Sequence, residues 1–212
     1  SLVLVDACQS LAHTEIDIKD LNIDFLAGSG HKLCGPTGIG FLWSREEILA
    51  KMPPLFGGGE MIQDVFEEKS TWADLPHKFE AGTPNISGAI AFGYALDYLN
   101  NIGLDNIKKY EDYLLEYATN KLKQIDGMII YGDTPNKTSV ISFNIEGLHA
   151  YDIGSILDKF GIAVRTGQHC AQPIMDYFKI SGTVRASFSF INTIEEIDEL
   201  IKAITFAKQM LS

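Results

Sequence analysis

Three cysteines in 212 residues, Cys8, Cys34 and Cys170, are too few for a disulfide framework. Their scarcity suits a reducing compartment, and a cytoplasmic location is expected. No pair has Cys-x-x-Cys spacing, so no structural zinc is expected. No run approaches the ~18 apolar residues that a membrane span needs. The opening Leu-Val-Leu-Val of residues 2–5 is far shorter than a signal-peptide core, and Asp6 ends it. Positive charge is scarce too: 17 Lys and Arg stand against 28 Asp and Glu, a formal charge of −11. Such a chain is not expected to bind nucleic acid or an anionic membrane, although a local basic pocket for a small anion stays compatible with it. Repeats and low-complexity stretches are also missing. With 46% hydrophobic and 21% charged residues, the composition is globular rather than disordered, collagenous or coiled-coil. The length suits one large domain or two small ones. There is no initiator Met, and the chain opens directly on a strand-like run. A buried parallel strand needs neighbours on both sides. The chain is therefore expected to be a piece of a longer protein, cut at a sheet strand.

What is present reads as α/β. Apolar runs predict strands over 2–5, 23–27 and 39–43, with Gly28, Gly30, Gly35, Gly38 and Gly40 between and around them. Residues 52–85 read as a long loop-rich segment containing Gly57-Gly58-Gly59 and the stretch Phe-Glu-Ala-Gly-Thr-Pro-Asn of 79–85. Long structured loops are usually functional; the plainer reading is a surface excursion. Helical spacing of Ile86, Ile90, Phe92, Ala95 and Leu96 predicts a helix over 86–99, and a second over 104–124. Strands are predicted over 128–131 and 139–145, where Ile141, Phe143 and Ile145 alternate with Ser142 and Asn144. A helix over 149–160 would bury Ile153, Ile156, Leu157 and Phe160, with Gly161 ending it. Strands follow over 162–165 and 184–190. The last helix opens on Thr193-Ile-Glu-Glu196, a capping-box pattern, and carries an apolar stripe through Ile197, Leu200, Ile201 and Ile204. Residues 1–98 thus look like part of an α/β layer, and 99–212 like a smaller, complete α+β unit.

Four places can carry chemistry, and each has a bland reading. Asp6 ends a buried strand, where open α/β sheets bind ligands, or it caps the next turn. In Gly28-Ser29-Gly30-His31-Lys32, small residues let a backbone approach a phosphate to which Ser29 and His31 can donate. Lys32 is there a nucleophile if desolvated, or a surface lysine in a flexible loop. The stretch is neither a P-loop, lacking Gly-Lys-Ser/Thr, nor a dinucleotide fingerprint, since Leu33 stands where Gly is needed. Cys170, beside His169 in a turn after a strand, is an activated thiol or a small buried hydrophobe. In 184–190, alternation puts Val184, Ala186, Phe188 and Phe190 on one face and Arg185, Ser187 and Ser189 on the other. Arg185 then grips a carboxylate in a cleft, or it is simply solvated.

Taken in order, Val-Asp-x-x-Gln, Ser-Gly-His-Lys with Gly-Pro-Thr-Gly, Phe-Glu-Ala-Gly-Thr-Pro-Asn, Arg-Thr-Gly-x-His-Cys-Ala and Arg-Ala-Ser resemble one family. It is the cysteine desulfurases of the class V aminotransferase superfamily, nearest the SufS type. The resemblance runs over essentially the whole chain, and its specificity lies in five motifs sharing one order. It implies a pyridoxal 5′-phosphate (PLP) enzyme of fold type I: residues 1–98 would be part of the large, mostly parallel-sheet domain, and 99–212 the small carboxy-terminal domain. Lys32 would anchor the cofactor covalently and afterwards act as base. Asp6 would pair with the pyridinium nitrogen, Gln9 with the phenolic oxygen, and Ser29 and His31 with the phosphate. Thr83 would reach the phosphate of a neighbouring subunit's cofactor, which makes a homodimer part of the site. Arg185 would bind the carboxylate of L-cysteine. Cys170 would take the sulfur as persulfide, release alanine, and pass the sulfur to an acceptor protein of the SufE or SufU kind for iron–sulfur cluster assembly.

A selenocysteine lyase or a sulfinate-releasing class V lyase would carry similar motifs. A non-catalytic assembly subunit is the reading from a different class, and intact Asp6, Lys32 and Cys170 argue against it. Gln168 stands where the family often has a second His, and Cys34 where it often has Tyr; both are expected to be tolerated. The family's amino-terminal half, with its ring-stacking histidine and a phosphate loop, has no counterpart in these 212 residues. The isolated chain is therefore expected to hold cofactor poorly, to turn over little or not at all, and to aggregate through exposed sheet edges.

Overall fold

A computed structural model describes residues 1–212. The chain forms two compact units, Ser1–Asp105 and Asn106–Ser212.

The first unit is built on a three-stranded sheet. Its strands are β1 (Leu4–Asp6), β2 (Phe25–Ser29) and β3 (Gly40–Ser44), in that spatial order. β1 runs parallel to β2, with Asp6 opposite Ala27, and β3 is antiparallel to β2. Ala7, Ile23 and Leu26 form the buried nucleus, with Val5, Leu11, Ile16, Ile18 and Trp43 against it. β1 lies two residues later than the apolar run predicts. Val3 instead accepts the backbone N–H groups of Asp24 and Phe25, and Leu2, Val3 and Leu4 stay exposed.

Helix α1 (Glu46–Lys51) follows, then the loop-rich segment predicted for 52–85, which holds some regular structure. It contains an antiparallel hairpin, β4 (Ile62–Val65) with β5 (Ser70–Trp72), anchored by the fully buried Met61. Helix α2 (Ile86–Ile102) is capped by Asn85, whose side chain accepts from Gly88 N at 3.0 Å. Of its periodic apolar residues Phe92 and Ala95 are buried, but Ile86, Ile90 and Leu96 are exposed. Gly103, at φ +86°, ends α2, and α3 (Leu104–Leu122) starts at once.

The second unit is a four-stranded antiparallel sheet. Its strands are β6 (Met128–Tyr131), β7 (Val140–Ile145), β8 (Arg165–Gly167) and β9 (Thr183–Ser187), in the order β6-β7-β9-β8. Ile141, Phe143, Ile145, Val184 and Ala186 occupy the face that α3, α4 (Ala150–Lys159) and α6 (Ile194–Leu211) cover. That alternation leaves Ser142, Asn144 and Arg185 on the opposite face. α6 begins in the expected capping box: Thr193 Oγ1 accepts from Glu196 N, and Glu196 Oε2 accepts from Thr193 N.

Three details of this unit differ from the sequence reading. Phe160 is 52% exposed rather than buried, and packs edge-on against Phe206. The strand predicted over 162–165 runs from Arg165 to Gly167. The chain is still leaving α4 at Ile162, whose N–H bonds Leu157 O, so the strand comes late. β9 stops at Ser187 rather than reaching 190, because Asn192 Oδ1 accepts from Ser189 N and turns the chain. Helix α5 (Gln172–Phe178) was not predicted; Pro173 in its first turn supplies a start signal.

Candidate functional site

The candidate residues fall into two groups, one in each unit. In the first unit, Asp6 closes β1. Its Oδ1 accepts from Cys8 N at 3.0 Å. Hydrogen bonds from the Cys8 thiol and backbone, with the charge of Lys32 adding to them, hold the Asp6 carboxyl below its usual range. The same contact pushes the Cys8 thiol up. Asp6 is therefore an ionised acid with a cation within electrostatic reach.

Lys32 gets there because β2 ends in a tight turn. Gly30 N bonds Ile39 O, and both Leu33 N and Gly35 N bond Gly30 O, which winds Gly30–Lys32 into one 3-10 turn. Gly30 is required: a methyl group there would sit 2.8 Å from the Ile39 side chain and 3.0 Å from its carbonyl. Lys32 is half-buried. Ser29 Oγ and His31 Nδ1 lie 2.9 Å apart on the exposed side of this turn, two groups able to meet one anion together. Gln9 lies exposed in the turn after β1. Thr83 is exposed ahead of α2, in a segment tied to neighbouring loops by Gly82 N to Gly59 O and by Asn85 Nδ2 to Gly38 O. Asp6 and Lys32 are thus brought within reach of one another, and Ser29 bonds His31, while Gln9 and Thr83 stand on turns of their own.

In the second unit, Cys170 is exposed, which removes the buried-hydrophobe reading. It follows His169, and both lie in the left-handed region, at φ +60° and +56°. Arg165 Nη2 reaches Cys170 Sγ at 3.5 Å. His169 Nε2 is 2.8 Å from Thr183 Oγ1. Arg185 is half-buried between Ser142 on β7 and Arg165 on β8. A pocket of about 290 Å³ opens here, lined among others by Tyr131, Ser142, His169, Phe178, Thr183 and Arg185. Arg185 Nε and His169 Nδ1 are both buried without a hydrogen-bond partner. Burial first, then the charges of Arg185 and Arg165, push the His169 imidazole down, so it is neutral near pH 7. An exposed thiol touched by the Arg165 guanidinium, which stands opposite Arg185 across β8 and β9, is a nucleophile on a cationic part of the sheet.

Arg165 and His169 lie inside a motif quoted from the sequence, which reads His169 as the neighbour of Cys170 and gives Arg165 no role. Ser142 and Thr183 were not singled out at all. One usable signal was the phase of 139–145, which puts Ser142 on the same face as Arg185 once β7 and β9 pair.

Comparison with known proteins shows the family. The aminotransferase class-V model matches residues 1–200. A "Probable cysteine desulfurase" of Synechocystis sp. is 51% identical over 205 residues, which is 95% of this chain and 49% of that protein. The cysteine desulfurase CsdA of Escherichia coli superposes with a TM-score of 0.92 at 38% identity, over all of this chain and 52% of its own. The apo cysteine desulfurase of Thermococcus onnurineus NA1 does so with a TM-score of 0.94 at 41% identity, over all of this chain and 53% of its own. The chain therefore spans about half the length of the relatives it matches. The family model covers residues 1–200, and these relatives match nearly all of this chain: the chain belongs to the class V aminotransferase family.

Proposed function

We propose that this chain is the part of a PLP-dependent cysteine desulfurase, of the SufS type, that carries both the cofactor lysine and the sulfur-accepting cysteine. The observation that carries the reading is Cys170: exposed, turned outward on a left-handed dipeptide, and touched by Arg165. A transaminase has no use for a thiol so presented, and the relatives named above are called cysteine desulfurases.

The residues of the first unit fit PLP. The ionised Asp6 would hold a protonated ring nitrogen, Gln9 the phenolic oxygen, and the Ser29–His31 pair the phosphate. Lys32 Nζ would be the point of attachment. Thr83, exposed on its own loop, would reach the phosphate held by a second copy, so the working enzyme would be a homodimer. When bound, PLP supplies an electron sink for the pair left at the substrate Cα. The Lys32 amine takes the Cα proton of L-cysteine, while the Arg185 guanidinium holds the carboxylate. The Cys170 thiolate attacks the substrate sulfur. The Sγ–S bond forms as the Cβ–S bond breaks and the electron pair stays on carbon; one proton is added at Cβ, and Lys32 returns its proton to Cα to complete alanine. Cys170 is left as a persulfide. It is exposed and can pass its outer sulfur to an acceptor of the SufE or SufU kind, in the cytoplasm, for iron–sulfur cluster assembly.

The test is a visible absorption spectrum with added PLP, then borohydride reduction and peptide mapping, on this chain and on the chain extended upstream to its relatives' length. Trapping on Lys32, with cysteine-dependent persulfide on Cys170, supports the proposal. Trapping on another lysine, or persulfide on Cys8 or Cys34 instead, overturns it.

A further inference from the structure

We infer that Thr183 is a positioning residue for Cys170, acting through the imidazole of His169. The inference rests on the reading of Cys170 as sulfur acceptor and adds what aims it.

Left-handed φ values are uncommon for residues other than glycine, and two in succession persist only where the surroundings over-determine them. His169 and Cys170 are such a pair. Both flanks are fixed. On one side Gly167 pairs with Thr183 at the end of β8. On the other, Ala171 N bonds Gln168 O, and Ile174 N and Met175 N bond Ala171 O to start α5. Flank anchoring alone does not choose the orientation of the two residues between. Cys170 is exposed and contributes only a long contact with Arg165, at 3.5 Å.

The remaining tie is the His169 ring. Its Nε2 lies 2.8 Å from Thr183 Oγ1. Thr183 is a fixed point, because it is 1% exposed and its backbone is engaged in the β8–β9 ladder. A β-branched side chain in a strand has little rotamer freedom, so the hydroxyl stays where the backbone puts it. Holding the ring holds the Cα of His169, and the next residue is Cys170. The groups around this ring are Arg185 on β9 and Arg165 on β8, both cationic, and its Nδ1 is buried without a partner. A second ring proton would find no acceptor there, so the tie works with a neutral imidazole.

A Thr183 that merely satisfied its own hydroxyl would predict stability losses without changes at Cys170. The experiment separates the two roles in the parent enzyme with T183V, T183S, H169A and the double variant T183V/H169A. T183V keeps the branched shape and removes the hydroxyl; T183S keeps the hydroxyl. Two readouts are taken. One is the iodoacetamide alkylation rate of Cys170, followed by peptide mass spectrometry from about pH 6 to about pH 9. The other is single-turnover persulfide formation on Cys170 from L-cysteine. Misplacing a reacting atom by 1 Å costs on the order of 10²-fold, so T183V and H169A should each slow persulfide formation by about 10- to 100-fold. T183S should stay within about twofold of the parent. The double variant should be no slower than H169A, since both changes cut the same tie. The alkylation rate of Cys170 should change in T183V and H169A, as the sulfur leaves its place beside Arg165.

An unchanged alkylation profile in T183V, or losses in T183V and H169A that add, overturns the inference. If T183V does not fold, H169A decides alone by its alkylation profile, because the half-buried His169 ring tolerates truncation better than the fully buried Thr183. Alkylation needs neither cofactor nor cysteine. A shifted profile in an enzyme that forms no persulfide on Cys170 would therefore keep Thr183 as a positioning residue while sinking the desulfurase reading.

Discussion

Arg165 and Arg185 stand directly opposite each other across β8 and β9, on the same face of the sheet. Like charges in that relationship normally destabilise an antiparallel pair. Here the two cations have different neighbours: Arg165 reaches the Cys170 sulfur, and Arg185 lies beside Ser142 and the pocket. In a chain of net charge −11 this is a local concentration of positive potential. It suits a site that must hold a small anion, and it adds to burial, the larger cause, in lowering the His169 imidazole.

Replacing Arg185 by Gln should therefore cost catalysis rather than stability. Hydrogen bonds to charged groups contribute about 1.5–3 kcal/mol, so kcat/KM for L-cysteine should fall by roughly 10- to 100-fold, mostly through KM. R185K should recover only part of the loss, because an ammonium cannot reproduce the planar fork. The urea midpoint of R185Q should equal or exceed that of the parent, since a like-charge pair is removed. Steady-state kinetics with unchanged KM would show that the carboxylate is held elsewhere.

Cys170→Ser should separate the two halves of the chemistry. The side chain is exposed, so the change leaves packing intact and a loss of stability beyond about 0.5 kcal/mol is not expected. Borohydride should still trap PLP on Lys32. Persulfide should disappear from residue 170, as read by mass spectrometry after exposure to L-cysteine. Persulfide transfer to an acceptor that survives this change would remove Cys170 from the proposed mechanism.

The α/β class and the alternation of β9 are legible in the sequence because they are local. Val184 and Ala186 against Arg185 is a period of two, and Thr193 with Glu196 is a cap written within four residues. The ends of elements are less legible where a side chain decides them. Asn192 stops β9 by bonding Ser189 N, and nothing in the apolar run announces it. The β4–β5 hairpin is hidden because its strands are four and three residues long, too short for periodicity. The site follows the same rule. Asp6, Lys32 and Cys170 stand out by residue type at strand ends. Thr183 and Arg165 acquire meaning only from the register of β8 on β9, a long-range pairing.

His169 should make stability depend on pH with a known sign. Burial, and then the two arginines, lower its folded-state value, while the unfolded chain protonates near the ordinary value of about 6.5. Above that value neither state is charged and the stabilising preference for neutral imidazole costs nothing. As pH falls below it, the unfolded state binds a proton that the folded state resists, and stability is lost progressively toward the folded value. The parent should thus lose more urea resistance than H169Q between about pH 7.5 and about pH 5.5. Equal losses would mean that His169 is free to protonate in the fold.

Gly182→Ala should disturb the Cys170 turn from outside it. A methyl group on Gly182 would lie 2.8 Å from the Cα, the carbonyl carbon and the oxygen of Gly167, all backbone atoms that cannot swing away. Gly182 is itself held in place, since its carbonyl accepts from Asn144 Nδ2 at 2.9 Å. The strain must therefore be relieved by moving β8 off β9 at the Gly167–Thr183 pair, where the Cys170 turn begins. Overpacking of this kind costs about 1–3 kcal/mol. Gly161 is the control: it has φ +73° and open space around it, so Ala there costs about 1–2 kcal/mol through backbone conformation alone. Both variants should lower the urea midpoint, and only G182A should change the alkylation profile of Cys170. If G161A and G182A leave that profile equally untouched, the close approach of Gly182 to Gly167 serves packing and does not hold the thiol in place.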